Sequence, residues 1–150
     1  MERCVQFSIF LANKPGVLSR IFREVAKAKI NVISIAMADS IEHGVLRMIV
    51  EAPDAARPIL KGLGIPVKET GVLTVSLDNR PGAVADLCER LSVNHVSIGY
   101  MYCTAAVRGG KSLAVLKVPN IKKAIKVLES PKDKRRDMKV KLRRPTGTRC

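Results

Sequence analysis

Two tetrapeptides in this chain carry the residue types from which a pocket for a small zwitterion could be built: Asn13-Lys14-Pro15-Gly16 and Asn79-Arg80-Pro81-Gly82. An asparagine amide offers both a donor and an acceptor, and a glycine lets the backbone come close to a ligand. Where such a loop enters a helix, several N–H groups have no intrahelical partner and the positive end of the dipole faces outward, a natural seat for a carboxylate. Together these groups suit recognition of an α-amino acid. Bond-breaking chemistry has little to stand on. His43 and His95 have no neighbouring nucleophile, and neither they nor Cys4, Cys88, Cys103 and Cys150 fall at metal-ligand spacing. No carboxylates pair in register, and Arg108-Gly109-Gly110-Lys111 lacks the strand-to-helix setting of a phosphate loop. The sequence therefore predicts recognition without catalysis: no catalytic residue, no metal and no cofactor.

The two tetrapeptides are 66 positions apart, and the same offset places Ile30-Asn31-Val32 on Val96-Ser97-Ile98, Gly44 on Gly110 and Pro53 on Pro119. A fixed period of this kind marks two copies of one unit. Each copy begins with an alternating apolar run, Val5, Phe7, Ile9 and Leu11 in the first. The loop follows, with Pro15 suited to a first helical turn. Leu18, Ile21, Phe22 and Val25 then recur at helical spacing, repeated as Val84, Leu87, Cys88 and Leu91. Strands are predicted over Asn31–Ala38 and Val45–Glu51, a short helix from Pro53 to near Gly62, and a fourth strand from Ile65 that runs through Gly71 into Val72–Leu77. The order β-α-β-β-α-β, twice, predicts an α+β fold of two ferredoxin-like βαββαβ units with antiparallel sheets. In the second copy the register fails after Leu128, and Met138–Leu142 is the expected last strand, with lysines at alternate positions to discourage foreign pairing.

A unit of about 66 residues buries only ~60% of its unfolded surface, so the copies are expected to lean on each other and on a second chain. The net charge of +14 is unevenly placed. Residues 131–150 hold nine Lys or Arg against two Asp, half of the excess, which leaves the body only mildly basic. No stretch of 18 apolar residues suggests a membrane span, and the N-terminus shows no apolar secretory segment. The scattered cysteines read as buried, inert thiols in a reducing cytoplasm.

The combination of a strand, Asn-Arg/Lys-Pro-Gly, an apolar helix, and a second strand opened by Ile/Val-x-Ile/Val resembles the ACT domain family, over about residues 5–130. The second copy carries it most fully, with Asp78-Asn79-Arg80-Pro81-Gly82 and Val96-Ser97-Ile98-Gly99-Tyr100-Met101-Tyr102. The resemblance implies ACT-like domains at residues 1–70 and 71–144, followed by a basic tail at 145–150. It implies a non-catalytic regulatory protein, a dimer or other homo-oligomer, that binds an amino acid or similar metabolite where two units pair. By that likeness the ligand contacts are Asn13 and Gly16, Asn79 and Gly82, with Asn31 opening the second strand and the shorter Ser97 at its counterpart. A partner in amino-acid biosynthesis, such as acetolactate synthase, is implied by the same likeness.

Two further readings stand beside this one. Asn-x-Pro-Gly is also a good helix-start turn, so the loops could be structural, in a subunit that assembles with an enzyme without a ligand of its own. The same topology carries RNA-recognition modules, but these stack bases on aromatics of the central strands, and Val45–Glu51 and Ser112–Val118 contain none. Electrostatic attachment of the basic tail to nucleic acid is the remaining form of that reading.

Overall fold

Alternation along the strands sorts the apolar residues onto one face, and amphipathic helices cover that face. In the computed structural model, residues 1–12, 14–39, 43–104 and 110–130 are described. The elements are β1 (Glu2–Ala12), α1 (Val17–Lys27), β2 (Val32–Asp39), β3 (His43–Val50), α2 (Pro53–Gly62), β4 (Val67–Asp78), α3 (Ala83–Val93), β5 (Tyr100–Cys103), β6 (Lys111–Lys117) and α4 (Ile121–Glu129). Met138–Leu142 and the basic tail lie outside the described residues.

The six strands form one antiparallel sheet in the order β2-β3-β1-β4-β6-β5. Phe7, Ile9 and Leu11 of β1 and Leu46 and Met48 of β3 meet Ile21 and Val25 of α1 and Leu60 of α2 in one core. Leu73 and Val75 of β4 and Leu116 of β6 meet Leu87 and Leu91 of α3 and Leu128 of α4 in another. Each core is the expected ferredoxin-like packing. The repeat extends to the backbone: among the described residues Lys29 and His95, 66 positions apart, are the two non-glycine residues with positive φ, at +56° and +53°. Both follow the end of a helix and turn the chain back toward the sheet.

The two long strands are shared. Paired residue numbers along β1 and β4 always sum to 76, as in Glu2 with Thr74 and Ile9 with Val67. The second half of β1 and the first half of β4 therefore belong to the first unit. The second half of β4 belongs to the second unit, and beside its Val72–Thr74 stretch stands Glu2–Cys4, in the place a fourth strand of that unit would take.

The face without helices is not left flat. Cζ of Arg47, on β3, lies 4.0 Å from the ring centroid of Tyr100, on β5. Those strands are four positions apart in the sheet, about 19 Å if it were planar. The sheet must curl into a trough for the two to touch, as strand twist favours. Ile49, Val72 and Val115 line its floor with Cys4 and Tyr102 against them.

Candidate functional site

Gly16 and Gly82 stand at the N-caps of α1 and α3 with φ of +89° and +85°. An L side chain pays about 1–2 kcal/mol in this region, which accounts for glycine at both. The turns match bond for bond. Lys14 N–H donates to the Ala12 carbonyl and Val17 N–H to that of Lys14, as Arg80 N–H does to Asp78 and Ala83 N–H to Arg80. Neither helix start is closed by a side chain. By contrast, α4 is capped by Asn120, whose Oδ1 accepts from Lys123 N–H at 2.9 Å. The first turns of α1 and α3 thus present N–H groups that a ligand's carboxylate could take.

The second loop opens on a cavity of about 370 Å³ lined by Asp78, Arg80, Asp86, Arg90, Lys111 and Leu128, among others. Arg80 donates to Asp86, bracing the loop against the first turn of α3, and that bond holds its guanidinium pKa above the ordinary value. Arg90 donates to the carbonyls of Val127, Leu128 and Ser130 at 3.1, 3.0 and 2.6 Å, so it ties the end of α4 to α3 at the cavity wall. Asn79 N–H donates to the Gly110 carbonyl at 3.0 Å, fixing the loop to the start of β6.

Of the other expected contacts, Asn13 lies outside the described residues. Asn31 is exposed and its Nδ2 donates to Glu51 Oε1 at 2.8 Å, while its carbonyl accepts from Glu51 N–H. It fastens the start of β2 to the end of β3. Ser97 is exposed on the segment between α3 and β5. One chain does not gather these residues at one place. Because β1 and β4 are antiparallel, the loops that follow them leave opposite ends of the pair, roughly 45 Å apart along the strands. Asn31 sits beside Glu51, one residue beyond the Val32–Val50 pair and level with the middle of the β1–β4 ladder.

A second polar cluster, which the sequence did not announce, lies inside the trough. Gln6 is fully buried; its Nε2 donates to Ser8 Oγ at 3.2 Å and to the Tyr100 hydroxyl at 2.8 Å. Its Oε1 accepts from the Tyr102 hydroxyl at 3.0 Å. Burial pushes the Tyr102 phenol up to about 12, with Tyr100 adding to the rise and Arg47 opposing it, so Tyr102 remains a donor. The available signal was Gln6 on the inner positions of an apolar strand, with the chain's two tyrosines at i and i+2 of another. The thiols also need a correction. Cys103, expected to be buried, is exposed because β5 is an edge strand, while Cys4 and Cys88 are half-buried. Partial desolvation, and Cys88 nearby, raise the Cys103 thiol pKa. Among the described residues no group of His, Cys, Asp and Glu is placed to hold a metal ion, and no helix is long and apolar enough to cross a membrane.

One sheet with glycine-entered helices repeated at one offset defines a tandem pair of ferredoxin-like α+β units. The sequence matches the family described as ACT domain pair over residues 3–135, and the chain belongs to that family. Among solved structures, protein BT0572 from Bacteroides thetaiotaomicron is 37% identical with a TM-score of 0.78, the match covering 84% of this chain and 86% of that one. The ligand-free regulatory subunit of aspartate kinase from Thermus thermophilus shares the fold at 14% identity, with a TM-score of 0.64 over 85% and 91% of the two chains. A structure of aspartokinase alpha and beta subunits does so at 20% identity and a TM-score of 0.55, over 85% and 95%. No curated protein sequence matches the chain.

Proposed function

We propose that this ACT domain pair is a non-catalytic regulatory protein that binds an amino acid or a similar small metabolite at its glycine-entered loops. The observation that carries the reading is the paired helix start at Gly16 and Gly82, uncapped in both units and, in the second, next to a charged cavity that Arg80, Ala83 and Asp86 line but Asn79 and Gly82 do not. The ligand's carboxylate takes the first-turn N–H groups, and Asn13 or Asn79 takes its amino group. A ligand of about ten heavy atoms can reach micromolar affinity, roughly −8 kcal/mol, without exceeding the efficiency ceiling of small ligands. Since the two loops leave opposite ends of the β1–β4 pair, a second copy of the chain supplies the facing wall of each site, in a dimer. Ligand then shifts the packing of that pair only by its differential affinity for the two arrangements.

A second reading makes the chain the regulatory or assembly subunit of an amino-acid biosynthetic enzyme, with no ligand of its own. Its support is the fold shared with regulatory subunits of aspartate kinase. A thermal-shift screen against the twenty amino acids and common metabolites separates the two. A stabilising compound whose effect is lost in the Asn13→Ala/Asn79→Ala double variant supports the sensor. A hit that the double variant retains overturns the site, and a blank screen with tight capture of an enzyme favours the assembly subunit.

A further inference from the structure

The trough holds donors that no protein acceptor uses. Ser34 is 3% exposed, and its Oγ has the Tyr102 phenol as a polar neighbour, a contact too weak to close a hydrogen bond of ordinary geometry. Arg47 is half-buried on β3, stacked on Tyr100. Among the described residues no carboxylate lies within ion-pair distance of it, and none of its five N–H donors closes a hydrogen bond. Gln6 decides where the third donor goes. Its Oε1 takes the Tyr102 proton, so its Nε2 faces the Tyr100 oxygen, and the Tyr100 proton must point elsewhere. The half-buried Arg47 and Tyr100 and the buried Ser34 thus share one concavity with donors to spare, one of them cationic. Buried polar groups are nearly always satisfied, and Ser34 is the buried member of this set, so the concavity has room for an acceptor from outside the protein chain.

We infer that the trough binds the carboxylate of a small organic acid, with Arg47 as the counter-charge and the Tyr100 and Ser34 hydroxyls as additional donors. The guanidinium fork matches a carboxylate's two oxygens. Lys117, opposite Tyr100 on β6, is turned to the Gly71 carbonyl at 3.4 Å, which leaves Arg47 as the cation over Ile49, Val72 and Val115, matched to one carboxylate better than to a doubly charged phosphate. Ser34 also lines an open groove between the edge strands β2 and β5, together with Phe22, Ile33 and Ile35. That groove gives the hydrocarbon part of the acid an apolar berth. The site uses none of the loop residues and stands whether or not the loops bind a ligand.

The chain has no tryptophan and its two tyrosines are Tyr100 and Tyr102, so intrinsic tyrosine fluorescence reports this site without a label. The protein is titrated with sodium isobutyrate against sodium chloride of equal ionic strength. A saturable change is expected, with half-saturation weakened at least about tenfold in Arg47→Met and about threefold in Ser34→Ala. Arg47→Lys keeps the charge without the fork and falls between. A response no different from chloride overturns the inference, as does wild-type titration by Arg47→Met. Inorganic phosphate binding as tightly as isobutyrate overturns the carboxylate assignment. Should circular dichroism show Arg47→Met unfolded, Arg47→Lys and Ser34→Ala decide, and wild-type titration by both overturns it. Asn79→Ala is expected to titrate as wild type here, which separates this site from the loops.

Discussion

Val5 stands opposite Gly71 in the β1–β4 ladder, and the two are also 66 positions apart, so each is the other's counterpart in the repeat. That coincidence marks the pair as the point about which one half of the chain is rotated onto the other. The shared strands follow from it: whatever β4 does for the first unit before Gly71, β1 does for the second before Val5. The halves are joined through backbone ladders, so neither is expected to fold well without the other.

Removing Met1 to Cys4 therefore damages the distant half. These residues pair with Val72, Leu73 and Thr74, while the core of the first unit rests on Phe7, Ile9 and Leu11. In the truncated chain, amide hydrogen exchange at Val72–Leu77 is expected to accelerate more than at Leu46–Val50. Equal loss across both units, or no loss, would contradict the shared-strand account.

The left-handed positions make a paired prediction. A Cβ at Gly82 meets nothing closer than Arg80 Nη1 at 3.6 Å, and at Gly16 nothing within 4 Å. Gly16→Ala and Gly82→Ala are thus expected to cost about 1–2 kcal/mol each through backbone strain alone. At Lys29 and His95 the strain is already present, and Lys29→Gly and His95→Gly are expected to gain about 0.5–1 kcal/mol each. Urea unfolding of the four variants measures all of these.

Much of this was legible beforehand, for physical reasons that differ by element. The repeat, the helical stripe of Leu18, Ile21, Phe22 and Val25, and the glycines at 16 and 82 are set by local sequence, and periodicity exposes them. The strand from Ile65 through Gly71 into Leu77 was visible as a continuous run. Its pairing with Glu2–Cys4 was not, because register between strands 70 residues apart leaves no local mark. The trough was hidden for the same reason: Gln6, Arg47 and Tyr100 are far apart in sequence, and only the curl of the sheet brings them together. At the loops, each turn could be read, but not that antiparallel β1 and β4 would carry them to opposite ends.

Tyr102 gives a prediction about alkaline pH. Its phenol pKa is raised to about 12 in the fold, chiefly by burial, against about 10 in an unfolded chain. A group raised in this way favours the fold at pH below the unfolded value, and the advantage is lost as pH climbs from there through the folded value. Ultraviolet titration of the phenolate is expected to show one tyrosine ionising late, near 12, and Tyr102→Phe is expected to remove that late step. A single step near 10 for both tyrosines would place Tyr102 in solvent.

The most direct test of the regulatory reading is amide chemical-shift mapping with whichever amino acid stabilises the protein most in the thermal screen. The account predicts the largest ligand-induced shifts at the first-turn N–H groups that the loop carbonyls leave open, those of Leu18 and Ser19 and of Val84 and Ala85, lost in Asn13→Ala/Asn79→Ala. Shifts centred elsewhere, with both first turns unmoved, would contradict it.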